Sequence, residues 1–162
     1  MSELLYRQLS YDIVGAAIEV YNSIGSFYDE PSYQKAMEIE LNFLGIPYVA
    51  KRRFEIEHRG FQIGWAEPDL LVDDSIVVEL KALSSIHPRH VSQVLKYLAL
   101  AERPLGLIIN FGNIEKLETK RVPFSRSLRR LRDRRLRWSE ESVEPDGAES
   151  PDDPTHPQDH GS

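Results

Sequence analysis

Pro68-Asp69-Leu70-Leu71-Val72-Asp73-Asp74-Ser75-Ile76-Val77-Val78-Glu79-Leu80-Lys81 holds two short apolar runs joined through Asp73-Asp74-Ser75. Apolar runs on either side of acidic and small turn residues read as a strand hairpin. Side chains alternate faces along a strand, so Glu79 and Lys81 share a face and the hairpin brings Asp69 alongside them. Two carboxylates and one ammonium thus converge. Such a pair suits a hard cation, Mg2+ or Mn2+, which takes one or two protein carboxylates and keeps waters that a substrate phosphate can replace. The lysine can hold or deprotonate an attacking water while the cation stabilises charge on the phosphate oxygens. The plain alternative is a structural ion pair, because Glu-x-Lys recurs at Glu118-Thr119-Lys120 without an apolar strand before it. What separates the first copy is context: Ile76, Val77 and Val78 carry Glu79 inward, where an unpaired charge is expensive.

Outward from this stretch the hydrophobic rhythm changes. From residue 9 to 24, Ile13, Val14, Ala17, Ile18, Tyr21 and Ile24 follow a helical period. A second helix is expected over about 29–44, with Asp29 as N-cap, Pro31 in the first turn and Gly45 past the end. Residues 48–58 and 61–65 flank Arg59-Gly60 as a further hairpin. Residues 87–101 are helical again, and 105–111 form a short apolar run typical of a strand buried on both faces. The order is helix, helix, three or four strands, helix, strand, helix, which predicts an α/β fold with a mixed sheet flanked by helices.

Polar residues on these elements could join the site. Gln93 and Tyr97 stand four apart on the third helix, and His90 shares their face. The same stripe could equally be a surface face. Glu30 near the start of the second helix could reach the site from outside the sheet, or simply suit the helix dipole. Glu19 is a further carboxylate on the first helix, with an equally ordinary alternative.

The chain has 162 residues and no Cys, so disulfide frameworks, thiolate nucleophiles and Cys-based zinc sites are excluded. Its apolar runs of about seven residues fall short of the ~20 that cross a bilayer, and no charged and apolar leader opens it. The expectation is one cytoplasmic domain, away from membranes. The net charge of −6 divides unevenly. Residues 139–162 hold eight of the 26 acids, no Lys or Arg and four prolines, and are expected to be a disordered tail. Removing them leaves 18 acids against 20 bases, a net charge of +2. Arg126, Arg129, Arg130, Arg132, Arg134, Arg135 and Arg137 crowd the segment just before the tail. They could release counterions from nucleic-acid phosphates, or form a solvated helix folded onto the tail.

In order, Ile13-Val14-Gly15-Ala16-Ala17-Ile18-Glu19-Val20, Glu30-Pro31-Ser32-Tyr33, Pro68-Asp69-Leu70-Leu71-Val72, Val78-Glu79-Leu80-Lys81-Ala82, Gln93-Val94-Leu95-Lys96-Tyr97 and Leu105-Gly106-Leu107-Ile108-Ile109-Asn110-Phe111 resemble the PD-(D/E)XK nuclease superfamily, specifically its GxxExxY family. The resemblance implies a restriction-endonuclease-like mixed sheet with helices on its faces. It implies that Asp69 and Glu79 bind the metal together with the Leu80 carbonyl and that Lys81 orients the water. Glu30 matches the family's helix carboxylate, while Gln93 and Tyr97 match an element of RecB-like exonucleases. Residues 1–122 would form the nuclease-like domain, 123–138 an Arg-rich helical extension and 139–162 the acidic tail.

The leading expectation is therefore a Mg2+-dependent nuclease that hydrolyses DNA phosphodiester bonds with a metal-activated water. The alternative is a non-catalytic nucleic-acid-binding or partner-docking protein that keeps the scaffold and uses the Arg-rich segment. A third reading concerns regulation, with the acidic tail competing with phosphate for the basic segment.

Overall fold

The computed structural model describes residues 3–124. Apart from Pro123 and Phe124, the expected Arg-rich extension and the acidic tail, with all seven of the arginines named above, lie outside the described residues. Two helices come first, α1 (Glu3–Ile24) and α2 (Glu30–Phe43). Five strands follow, β1 (Tyr48–Ala50), β2 (Phe54–His58), β3 (Phe61–Ala66), β4 (Leu70–Val72) and β5 (Ile76–Lys81). The described chain ends with α3 (Pro88–Ala101), β6 (Leu105–Asn110) and β7 (Glu118–Pro123).

The main sheet has the order β1-β4-β5-β6-β7, with β5 and β6 parallel and the other pairs antiparallel. The apolar run of β6 is buried along its whole length, as a central parallel strand covered on both faces requires. Alternation along β4, β5 and β6 divides the core in two. Leu70, Val72, Ile76, Val78, Leu80, Leu107 and Ile109 face α1 and α2, whereas Leu71, Val77, Ile108 and Val122 face α3. Asp69, Glu79 and Lys81 have the parity of Leu71 and Val77, which puts them on the α3 face.

Local chemistry explains the element ends. Asp29 caps α2, its Oδ1 accepting from the Ser32 N–H at 3.1 Å and the Ser32 hydroxyl at 2.6 Å. The fully buried stripe of α1 is Ile13, Ala16, Ala17 and Val20, with the expected Val14 and Tyr21 partly buried against the same core, whereas Ile18 and Ile24 are exposed. Ile18 lies five residues past Ile13, roughly 140° round the helix, and is exposed. Asp73 and Asp74 take φ of 48° and 47° to turn β4 into β5, a conformation that Asp tolerates better than most residues.

Two elements differ from the expectation. Residues 48–58 are two strands in different sheets: Lys51 adopts φ 52°, the chain leaves the main sheet there, and β2 pairs with β3 in a separate hairpin that packs on α3. The second difference is β7, which lies just before the Arg-rich segment where no strand was expected and brings the second Glu-x-Lys onto a sheet edge. Only Val122 of β7 is buried, so its apolar pattern is too sparse to announce a strand. Exposed Lys120 and Arg121 are what an edge strand commonly carries.

Candidate active site

Asp69 and Glu79 come side by side one step beyond the last paired residues of β4 and β5, Leu70 and Val78. Both are buried, with 7% and 5% of their surface exposed. Asp69 Oδ2 accepts from the Leu80 N–H at 2.7 Å, and its Oδ1 is paired with the Lys51 ammonium. The Asp69 carbonyl accepts from the Lys51 N–H at 3.1 Å and from Gln34 Nε2 at 3.1 Å. Glu79 Oε1 accepts from Lys81 Nζ at 3.2 Å, whereas its Oε2 is buried without a hydrogen-bond partner. The Lys81 carbonyl accepts from the Phe111 N–H, so strand alternation turns the backbone of Leu80 the other way, towards Asp69.

A polar chain continues from the strand into α3. Lys81 Nζ donates to Gln93 Oε1 at 3.2 Å, and Gln93 Nε2 donates to the Tyr97 hydroxyl at 2.8 Å. The i, i+4 spacing on α3 thus faces the sheet end rather than solvent. His90, expected on the same stripe, is also buried, but its Nδ1 accepts from the His87 N–H at 3.0 Å and so ties down the start of the helix.

Burial pushes the Glu79 carboxyl up to about 7, the neighbouring Asp69 charge adds to this, and Lys81 opposes it. Burial, and next the Glu79 charge, hold the Tyr97 phenol up at about 12, against the Gln93 hydrogen bond. Burial lowers His90, helped by the positive charge of Lys81. Lys51 responds differently: burial works against its charge, but the Asp69 carboxylate outweighs it and raises the ammonium.

The remaining candidates lie apart. Glu30 is the exposed first residue of α2, and no hydrogen bond or ion pair joins it to Asp69, Glu79 or Lys81. Tyr33, three residues on, is structural: its hydroxyl donates to the Gly25 carbonyl at 2.6 Å and its ring stacks on Phe111. Glu19 lines a separate groove between α1 and α2 with Asp12 and Glu40. Three contributors were not expected from the sequence: Lys51, Gln34 and Asn110. Asn110 is fully buried at the end of β6, where its side chain bonds both the N–H and the carbonyl of Leu83 and so fixes the chain just after Lys81. An Asn closing an otherwise apolar run was the available signal.

Among the described residues no cluster of three or more His, Cys, Asp or Glu could hold a metal. The donor set that exists is two adjacent carboxylates, one of them with an unpartnered buried oxygen, beside a backbone edge. That set fits a hard divalent cation which retains waters, and does not fit a zinc centre closed by protein ligands.

The sequence profile of the PD-(D/E)XK nuclease superfamily matches residues 7–122. The crystal structure of SSO0001 is 20% identical over 84% of this chain and 67% of its own, with a TM-score of 0.45. An alkaline exonuclease from Laribacter hongkongensis is 13% identical over 88% of this chain and 81% of its own, with a TM-score of 0.48. No curated protein sequence matches significantly.

Proposed function

Because the chain belongs to the PD-(D/E)XK nuclease superfamily, we propose that it hydrolyses phosphodiester bonds of DNA with Mg2+ or Mn2+ held by Asp69, Glu79 and the Leu80 carbonyl. The observation that carries this reading is the buried Asp69–Glu79 pair, with Glu79 Oε2 unpartnered and the Lys81–Gln93–Tyr97 chain beside it. When bound, the cation supplies Lewis-acid stabilisation of charge on the phosphate oxygens. Lys81, fixed between Glu79 and Gln93, donates a hydrogen bond to the attacking water and orients it. The water oxygen bonds to phosphorus, the bond to the leaving sugar oxygen breaks, the water's proton passes to solvent and the leaving oxygen takes one up from solvent. Tyr97 stays protonated, so its hydroxyl can accept from Gln93 and still donate. Within the superfamily we read the chain as a GxxExxY-type protein on the segment Glu30-Pro31-Ser32-Tyr33.

The test is incubation with linear, circular, single- and double-stranded DNA, and with RNA, in Mg2+, in Mn2+ and in chelator. Cutting is expected only with metal, with losses of at least about a hundredfold in Asp69→Asn and Glu79→Gln. Wild-type rates in both variants would remove the enzymatic reading. Salt-sensitive, metal-independent binding without cutting would leave a nucleic-acid-binding scaffold in its place.

A further inference from the structure

Lys51 holds Asp69 twice, through its N–H on the carbonyl and its ammonium on Oδ1. Its left-handed backbone, φ 52°, makes this possible, by breaking β1 just where the chain passes Asp69. Three of the four carboxylate oxygens therefore already carry one donor each. Asp69 Oδ2 is taken by the Leu80 N–H, Asp69 Oδ1 by Lys51 and Glu79 Oε1 by Lys81, which leaves Glu79 Oε2. A cation bridging Asp69 and Glu79 must take an Asp69 oxygen that already carries a donor, and the Lys51 ammonium on Oδ1 repels it. The Leu80 N–H belongs to a buried central strand and cannot move away. The Lys51 side chain is 49% exposed and sits on a flexible four-carbon stem, so it can.

We infer that Lys51 is an exchangeable counter-ion of the site. It occupies Asp69 while no cation is bound, gives up Oδ1 when a divalent cation binds, and then pairs with the phosphate of the substrate. This rests on the reading of Asp69 and Glu79 as cation ligands. It gives Lys51 a substrate-positioning role distinct from that of Lys81, whose ammonium stays between Glu79 and Gln93.

The test compares the wild type, Lys51→Met and Arg52→Met, titrated with Mn2+ at fixed ionic strength while the free ion is followed by electron paramagnetic resonance. Lys51→Met is expected to bind Mn2+ about five- to tenfold more tightly, by loss of a competing charge-assisted hydrogen bond. Arg52→Met removes a positive charge from the same turn without touching Asp69, and is expected to stay within about twofold of wild type. Unchanged or weaker binding by Lys51→Met, or an equal gain in Arg52→Met, overturns the exchange. No Mn2+ binding by any of the three proteins would sink the cation reading of Asp69 and Glu79 itself. For the phosphate step, a phosphorothioate oligonucleotide is titrated with and without Mn2+. With Mn2+, the slope of log affinity against log salt should fall by about one in Lys51→Met; without it, the slopes should coincide. Equal slopes in Mn2+ would overturn the phosphate role.

Discussion

Glu79 lies where burial and a second carboxylate both oppose ionisation, and this has a measurable consequence for stability. Its folded pKa of about 7 lies above its ordinary 4.5, so folding favours the protonated form. The stabilisation from this group is complete below about pH 4.5 and is lost as pH rises through 7, a loss on the order of 3 kcal/mol. Glu79→Gln keeps the neutral shape and cannot ionise. In chelator, its melting temperature should track wild type near pH 4.5 and exceed it above pH 7.5, as thermal melts across that range would show. Parallel curves would mean that Glu79 ionises at its ordinary pKa. At this scale the sequence was legible wherever a period applied: the two-residue alternation placed Glu79 with Lys81, and the four-residue spacing placed Gln93 with Tyr97. Lys51 was not legible, because its contact depends on one left-handed residue rather than on a pattern. Glu30 shows the opposite case, where a matching motif residue is exposed and makes no bond to Asp69, Glu79 or Lys81.

Among the elements, α3 is the part whose placement decides whether Gln93 reaches Lys81, and Gly106 sets how closely that helix lies on β6. A Cβ at Gly106 would collide with Val94 Cγ1 and touch Leu98. Valine has little rotamer freedom in a helix, so the helix must shift rather than the side chain. Gly106→Ala should therefore destabilise by about 1–3 kcal/mol and lower the melting temperature by roughly 5–10 °C. Adding Val94→Ala should restore part of that loss, which calorimetry of the single and double variants would reveal. A double variant no more stable than Gly106→Ala would show that the strain lies elsewhere. The glycine was visible in the sequence within the run that became β6, but its partner on α3 was not, since nothing local pairs residue 94 with residue 106. The same limit explains β1 and β2. Residues 48–58 have strand character throughout, and only the left-handed Lys51 reveals that they serve two sheets.

Taken whole, the chain divides its charge differently when residues 1–124 are counted apart from the rest. The net charge of +2 read from the sequence counts residues 1–138 together, with the Arg-rich stretch included. The strand β7 ends at Pro123, and Phe124 is buried with its N–H donating to the Pro104 carbonyl. Residues 1–124 carry 13 bases and 17 acids, a net charge of −4, while residues 125–138 carry seven Arg and one Asp, a net charge of +6. An acidic domain that works on a polyanion has to draw its affinity from somewhere else, and the seven arginines are the largest local excess of positive charge in the chain. A truncation meant to test them must fall after Phe124, since one at Lys116 would also delete β7. Ending the chain at Phe124 should weaken DNA binding at least about a hundredfold near 0.1 M salt and flatten the salt dependence by several units of slope, while metal-dependent cutting persists at high DNA concentration. Ending it instead at Trp138 removes only the eight acids of residues 139–162 and should tighten binding at low salt, with the gain vanishing as salt screens the tail. Binding isotherms of the two truncations against the full chain at several salt concentrations decide the matter: equal affinity in all three would mean that the site itself, despite its acidic surroundings, holds the substrate unaided.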